Sequence, residues 1–147
     1  MNATADLLQV ERRRILADAG ATAVRAPHYA ASPETARRLE VLFDELLAAV
    51  DREELTSIVA YAHGIAAQRY AAGYDLGEVQ VAVNALEEAV WRRIFATRAP
   101  EELGESLRLV STALGAAKDT LARTYVSLAS SSAPAAIDVS ALFAGTN

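Results

Sequence analysis

His63, Arg69, Tyr70, Gln80, Asn84, Glu87 and Trp91 are the residues whose types and spacing could do chemistry in this chain. All lie in HGIAAQRYAAGYDLGEVQVAVNALEEAVWRRIF, residues 63–95, where two amphipathic patterns meet at an Ala-Ala-Gly-Tyr-Asp corner. Arg69 continues an apolar helical stripe, and an unpaired buried guanidinium is costly, so it must find a carboxylate, a ligand or solvent. The leading reading is that it reaches water from the last helical turn; if it pairs with a carboxylate, Glu87 is favoured, or Asp75 at the corner. His63 and Tyr70, seven residues apart on one side, could line a pocket in which the imidazole senses pH or binds a metal, although the leading reading of His63 is a partly exposed histidine at a helix boundary. Gln80, Asn84, Glu87 and Trp91 recur one helical turn apart. Such a line is a ligand-facing surface, a wet helix–helix interface, or a solvated face with one tryptophan laid on it.

Other chemistries lack their parts. Glu87 and Glu88 are adjacent on a helix and point apart, so they make no acid/base pair. No Gly-rich phosphate loop is present, and no catalytic residue is assigned. The expectation is a protein that is not an enzyme. Cysteine is absent and His28 and His63 are the two histidines, too few for a metal site. One histidine on a helix is no haem signal, so no cofactor is expected. A net charge of −5 opposes nucleic acid, and Arg12, Arg13 and Arg14 sit between Glu11 and Asp18 as one solvated face. A helix-turn-helix at the Gly73 corner is excluded too, because its second helix opens Asp75-Leu76-Gly77-Glu78-Val79, without the basic or amide side chains that meet phosphate and base.

The elements that must position these residues read as helices. The chain has 147 residues, 52% hydrophobic and only 6% aromatic, a composition of Ala, Leu and Val that suits close-packed helices over a sheet. The expected architecture is an all-α, antiparallel bundle of about five helices with a long C-terminal helix. Residues 3–19 form the first, with Leu8, Ile15 and Leu16 as its apolar side. A loop follows, containing Pro27, His28 and Tyr29. Ser32-Pro33 then starts the second, where Leu39, Leu42, Phe43, Leu46, Leu47 and Val50 form a full core stripe.

Asp51 is read as the cap of the third helix, whose stripe is Leu55, Ile58, Val59, Ala62, Ile65, Ala66 and Arg69. Gly73 ends it in left-handed conformation with Tyr74 placed for the accompanying contact, and Asp75 with Glu78 opens the fourth. That helix carries Leu76, Val79, Val83, Leu86, Val90 and Ile94. Pro100 opens the fifth, about 45 Å long, with an apolar seam in 4-3 spacing that includes Leu107, Val110, Leu114 and Leu121. Residues 1–130 are therefore one helical domain, and 131–147 are a small-residue linker and short C-terminal tail. The N-terminus is charged and no run of 18 apolar residues exists, so neither export nor a membrane span is expected and the compartment is cytoplasmic.

Residues from about Leu55 to Ser127 resemble the N-terminal sensory domain of RsbR-type RsbT co-antagonists, a stressosome-related module also found ahead of some bacterial kinases. The likeness rests on His63-Gly64 before Arg69, then Gly73-Tyr74-Asp75-Leu76 and Val79. It continues in Leu86, Val90 and Trp91-Arg92-Arg93-Ile94, and ends with a long last helix containing Tyr125. It implies a helical input domain that dimerises through its long helices. The phosphoacceptor or catalytic domain that follows in that family has no counterpart before Asn147, so this reading is of a stand-alone module.

Three functions compete. The first is a signalling module that senses a signal or binds a regulatory protein, as a homodimer joined by Leu107, Val110, Leu114 and Leu121. The second is a small-molecule protein with an apolar pocket between the third, fourth and fifth helices; Ala62, Ala66, Ala67, Ala71, Ala72, Ala82, Ala85 and Ala89 argue against it by letting helices close together. The third docks Leu142 and Phe143 of the tail into a groove.

Overall fold

The computed structural model describes residues 1–26 and 33–132. Among them are six α-helices, one short 3-10 turn and no strand. They are α1 (Ala3–Val10), α2 (Arg12–Ala23), α3 (Pro33–Arg52), α4 (Thr56–Ala71), α5 (Leu76–Thr97) and α6 (Leu103–Ser132), with the 3-10 turn over Pro100–Glu102. The all-α expectation holds, including the long last helix. No described helix is long and apolar enough to cross a membrane. The loop residues His28 and Tyr29, the Ser32 cap and the Leu142–Phe143 docking segment lie outside the described residues.

α3 leans against every other helix. Its buried Leu39, Leu42, Phe43, Leu46 and Val50 fill the middle of the core, as their periodicity predicts. Around it, α2 lies along α5 and α4 lies along α6. α4 and α5, joined by the short corner, share little surface with each other; each packs chiefly on another helix.

The single helix expected over 3–19 is two. Asn2 caps α1 by accepting from the Ala5 N–H at 2.8 Å, and its amide donates to the Val50 carbonyl at 2.7 Å. The break falls at Glu11, whose carboxylate takes Arg93 Nε at 3.1 Å. The break is confined to that residue, at φ −91° and ψ 5°, with α1 packing chiefly on α3 and α2 chiefly on α5. The expected apolar residues still point inward: Leu8 and Ile15 are fully buried and Leu16 is half-buried.

Asp51 is not the cap of α4. It belongs to the last turn of α3, which ends in a Schellman motif: Glu53 adopts φ +51° and the Glu54 N–H bonds the Ala49 carbonyl at 3.2 Å. α4 starts three residues later with no side-chain cap on Leu55.

The seam of α6 is inside the chain. Val110, Leu114 and Leu121 are at most 1% exposed, covered by α3, α4 and α5. They cannot join two copies, because their surface is already removed from water by their own chain. Leu107 is 38% exposed and is the only member of the four left at the surface.

Candidate functional site

The corner between α4 and α5 is built as the sequence predicts. Gly73 sits at φ +89°, the Tyr74 N–H bonds the Arg69 carbonyl at 3.1 Å, and the Gly73 N–H bonds the Tyr70 carbonyl at 3.0 Å. This pair of bonds is a Schellman motif, and it brings the residue after the glycine back over the residue five before it. Here those residues are Tyr74 and Arg69, and the guanidinium carbon lies 3.7 Å from the ring centroid. Such a contact stabilises by about 0.5–2 kcal/mol depending on hydration. Asp75 then caps α5 by accepting from the Glu78 N–H at 2.8 Å.

α6 holds the corner in place. The buried Tyr125 donates its hydroxyl to the Tyr74 carbonyl at 3.0 Å and meets the Tyr70 ring edge-on, centroids 5.5 Å apart. Burial pushes the Tyr125 hydroxyl above its ordinary pKa; nearby Arg69 opposes this and Asp75 and Glu78 add to it. Arg69 has no carboxylate within ion-pair distance among the described residues.

Below this corner α3, α4, α5 and α6 leave a cavity of about 110 Å³. Its floor is apolar and buried: Leu42, Ala62, Val83, Ala117 and Leu121. Its mouth is formed by more exposed groups, namely Arg38, Tyr61, Arg69, Tyr74 and Glu78. Arg38 is paired with Glu34. Tyr61 is pushed above its ordinary pKa by burial, with Arg38 opposing and Glu45 adding. The alanines expected to close voids do the reverse at two positions. Ala62 and Ala82 line the cavity, because small side chains leave room where neighbours such as Leu42 and Leu121 set the helix separation.

Of the seven candidate residues, only Arg69 lines this cavity. Glu87, the favoured carboxylate among the alternatives for Arg69, does not pair with it. Glu87 binds Lys118 of α6 instead, both carboxylate oxygens lying within 3.0 Å of Nζ, and Arg69 goes to Tyr74. Asp75 turns to its capping bond. His63 stands at the surface between α4 and α6, its Nδ1 3.2 Å from Oγ1 of the buried Thr124, while Tyr70 meets Tyr125. The His63–Thr124 contact puts a base beside a hydroxyl, but no described carboxylate orients the other ring nitrogen, so the triad logic is incomplete. Gln80 and Glu87 are half-buried and Asn84 is exposed. Trp91 packs partly on the core and tilts toward the exposed Phe95 at 6.2 Å. Their line is thus the edge of α5, closed by an ion pair at its centre, and not a single ligand face.

The mouth residues Arg38 and Tyr61 escape sequence reading. Tyr61, Ile65 and Arg69 are spaced four apart, which was a usable signal for one wall. Thr35, Arg38 and Leu42 of α3 give no local hint that they complete it. Among the described residues no group of three His, Cys, Asp or Glu is placed to hold a metal. No protein-family model, curated protein or solved structure matches this chain.

Proposed function

We propose that this chain is a non-enzymatic regulatory module whose input is a small molecule held among α3, α4, α5 and α6, and whose output is contact with a partner protein. The observation that carries the reading is the cavity itself: a buried apolar floor under a mouth of polar and charged groups, the lining of a ligand site at a volume of about 110 Å³, below the roughly 300–1,000 Å³ of drug-sized pockets. Its size is close to that of an engineered cavity of about 150 Å³ that admits benzene, so the ligand is small. The resemblance of residues 55–127 to a bacterial sensory domain agrees with an input role.

The position of the cavity supports an output. Two of its four walls, α4 and α5, are joined by the corner, and Tyr125 ties that corner to a third, α6. A ligand that moves Arg69 or Tyr74 therefore also moves the outer face of the bundle. The homodimer expected from the α6 seam loses its basis, because that seam is core.

The test is a backbone amide NMR titration with a panel of single-ring and short-chain compounds. Shifts should cluster on residues lining the cavity and should disappear in Ala82→Phe, which fills it. A panel that leaves those residues unmoved at millimolar concentration would overturn the reading.

A further inference from the structure

The charged groups at the mouth say what kind of molecule the cavity takes. Three face it: Arg38, Arg69 and Glu78. Arg38 is neutralised by Glu34 on its own helix. Arg69 has a guanidinium without a carboxylate partner among the described residues, beside an apolar chamber, and its central carbon lies 3.7 Å over the Tyr74 ring centroid, a separation that suits face-to-face stacking. The N–H donors of a guanidinium lie in its plane, at the edge, so stacking leaves them available. A planar carboxylate meets such an edge through two parallel hydrogen bonds, and a desolvated site strengthens them.

Glu78 limits the charge. Its carboxylate shares the mouth, so a dianion meets repulsion that a monoanion meets at half the strength. The floor limits the body: Leu42, Ala62, Val83, Ala117 and Leu121 offer no hydrogen-bonding side chain, and the volume of about 110 Å³ holds about one ring or a short alkyl chain.

We infer that the cavity binds a small monocarboxylic acid, its carboxylate on the edge of Arg69 and its apolar body on the floor between Ala62, Val83 and Leu121. This rests on the reading of the cavity as a ligand site and adds its chemical class. The guanidinium selects charge and shape; the chamber selects a dry body the size of benzoate or hexanoate.

Amide NMR titrations with matched probes separate the two claims. Benzoate and hexanoate are compared with benzyl alcohol and hexanol, and with acetate, on the wild-type chain, Arg69→Gln and Arg38→Gln. Folding of each variant is read from the same spectra. Wild type should bind the acids about tenfold or more tightly than the alcohols, since hydrogen bonds to a charged group contribute at least that factor. The preference should vanish in Arg69→Gln and persist in Arg38→Gln. Equal binding of acids and alcohols overturns the inference and leaves the cavity reading intact. So does undiminished acid binding to Arg69→Gln; acetate matching benzoate overturns both, since the apolar floor would then contribute nothing. No binding by acid or alcohol overturns both.

Discussion

α3 and α4 end in the same way with different residues at the left-handed position, and this gives a matched test of what holds the corner. α4 has Gly73 at φ +89°, and a Cβ built there meets nothing within 4 Å. The penalty for Gly73→Ala is therefore conformational alone. A left-handed L-residue costs about 1–2 kcal/mol, and restricting the unfolded chain returns about 0.4–1, so the net loss is about 1 kcal/mol. α3 has Glu53 at φ +51°, which already carries this strain. Glu53→Gly should gain about 1 kcal/mol, less whatever its exposed ion pair with Arg108 at 3.2 Å contributes, about 0–1 kcal/mol. Arg108→Ala measures that share separately. Urea unfolding of the three variants gives the values, and each kcal/mol shifts the melting temperature by about 2–4 °C at this chain length. Gly73→Ala should also move the amide signals of Tyr74 and Arg69, since the Schellman bonds place one over the other. The reasoning fails if Gly73→Ala and Glu53→Gly shift stability in the same direction.

Leu114→Ala and Leu121→Ala should each cost about 2–5 kcal/mol without changing the mass of the assembly in native mass spectrometry; a folded variant with lower stoichiometry would restore the seam as an interface. Ser106→Ala should cost about 1–3 kcal/mol, because it strands the buried Thr4 hydroxyl that lies 2.8 Å from it. Thr4→Val combined with Ser106→Ala should cost less than the two separately, and simple additivity in denaturant unfolding would deny the bond. Tyr61 and Tyr125 have raised pKa values in the fold, so the stability they contribute is complete below about pH 10 and declines as the pH rises through their folded values. Phenolate absorbance should show two late-titrating groups, one of them lost in Tyr125→Phe; a single uniform titration of all tyrosines contradicts this.

The helix stripes were legible because burial repeats every 3.6 residues whatever the neighbours are. Leu39 through Val50 on α3 and Leu76 through Ile94 on α5 occupy the faces their spacing assigns. The corner was legible because Gly73, Tyr74 and Asp75 each act through bonds to residues within five positions. Asp51 misled because an acidic cluster suits a helix start, and the left-handed Glu53 that marks a helix end is a conformation sequence rules reserve for glycine. Periodicity gave the α6 seam but not what covers it: apolar spacing is identical whether the cover is another chain or α3 and α4. Arg69 stands out in the sequence because it interrupts a stripe; Arg38 does not, because what makes it a mouth residue is the approach of α3 to α4 and α5.

The Thr4–Ser106 bond also sets a timetable for synthesis. Its partners are 102 residues apart, and α1 packs only on elements that include α3 and α6. At about 5–20 residues per second, α6 follows α1 from the ribosome by about 5–20 seconds. Through that interval the Thr4 side of α1 has α3 to rest on but lacks the α6 partner of its hydroxyl. The α1 face is therefore begun by α3 and completed only when α6 arrives to bond Thr4.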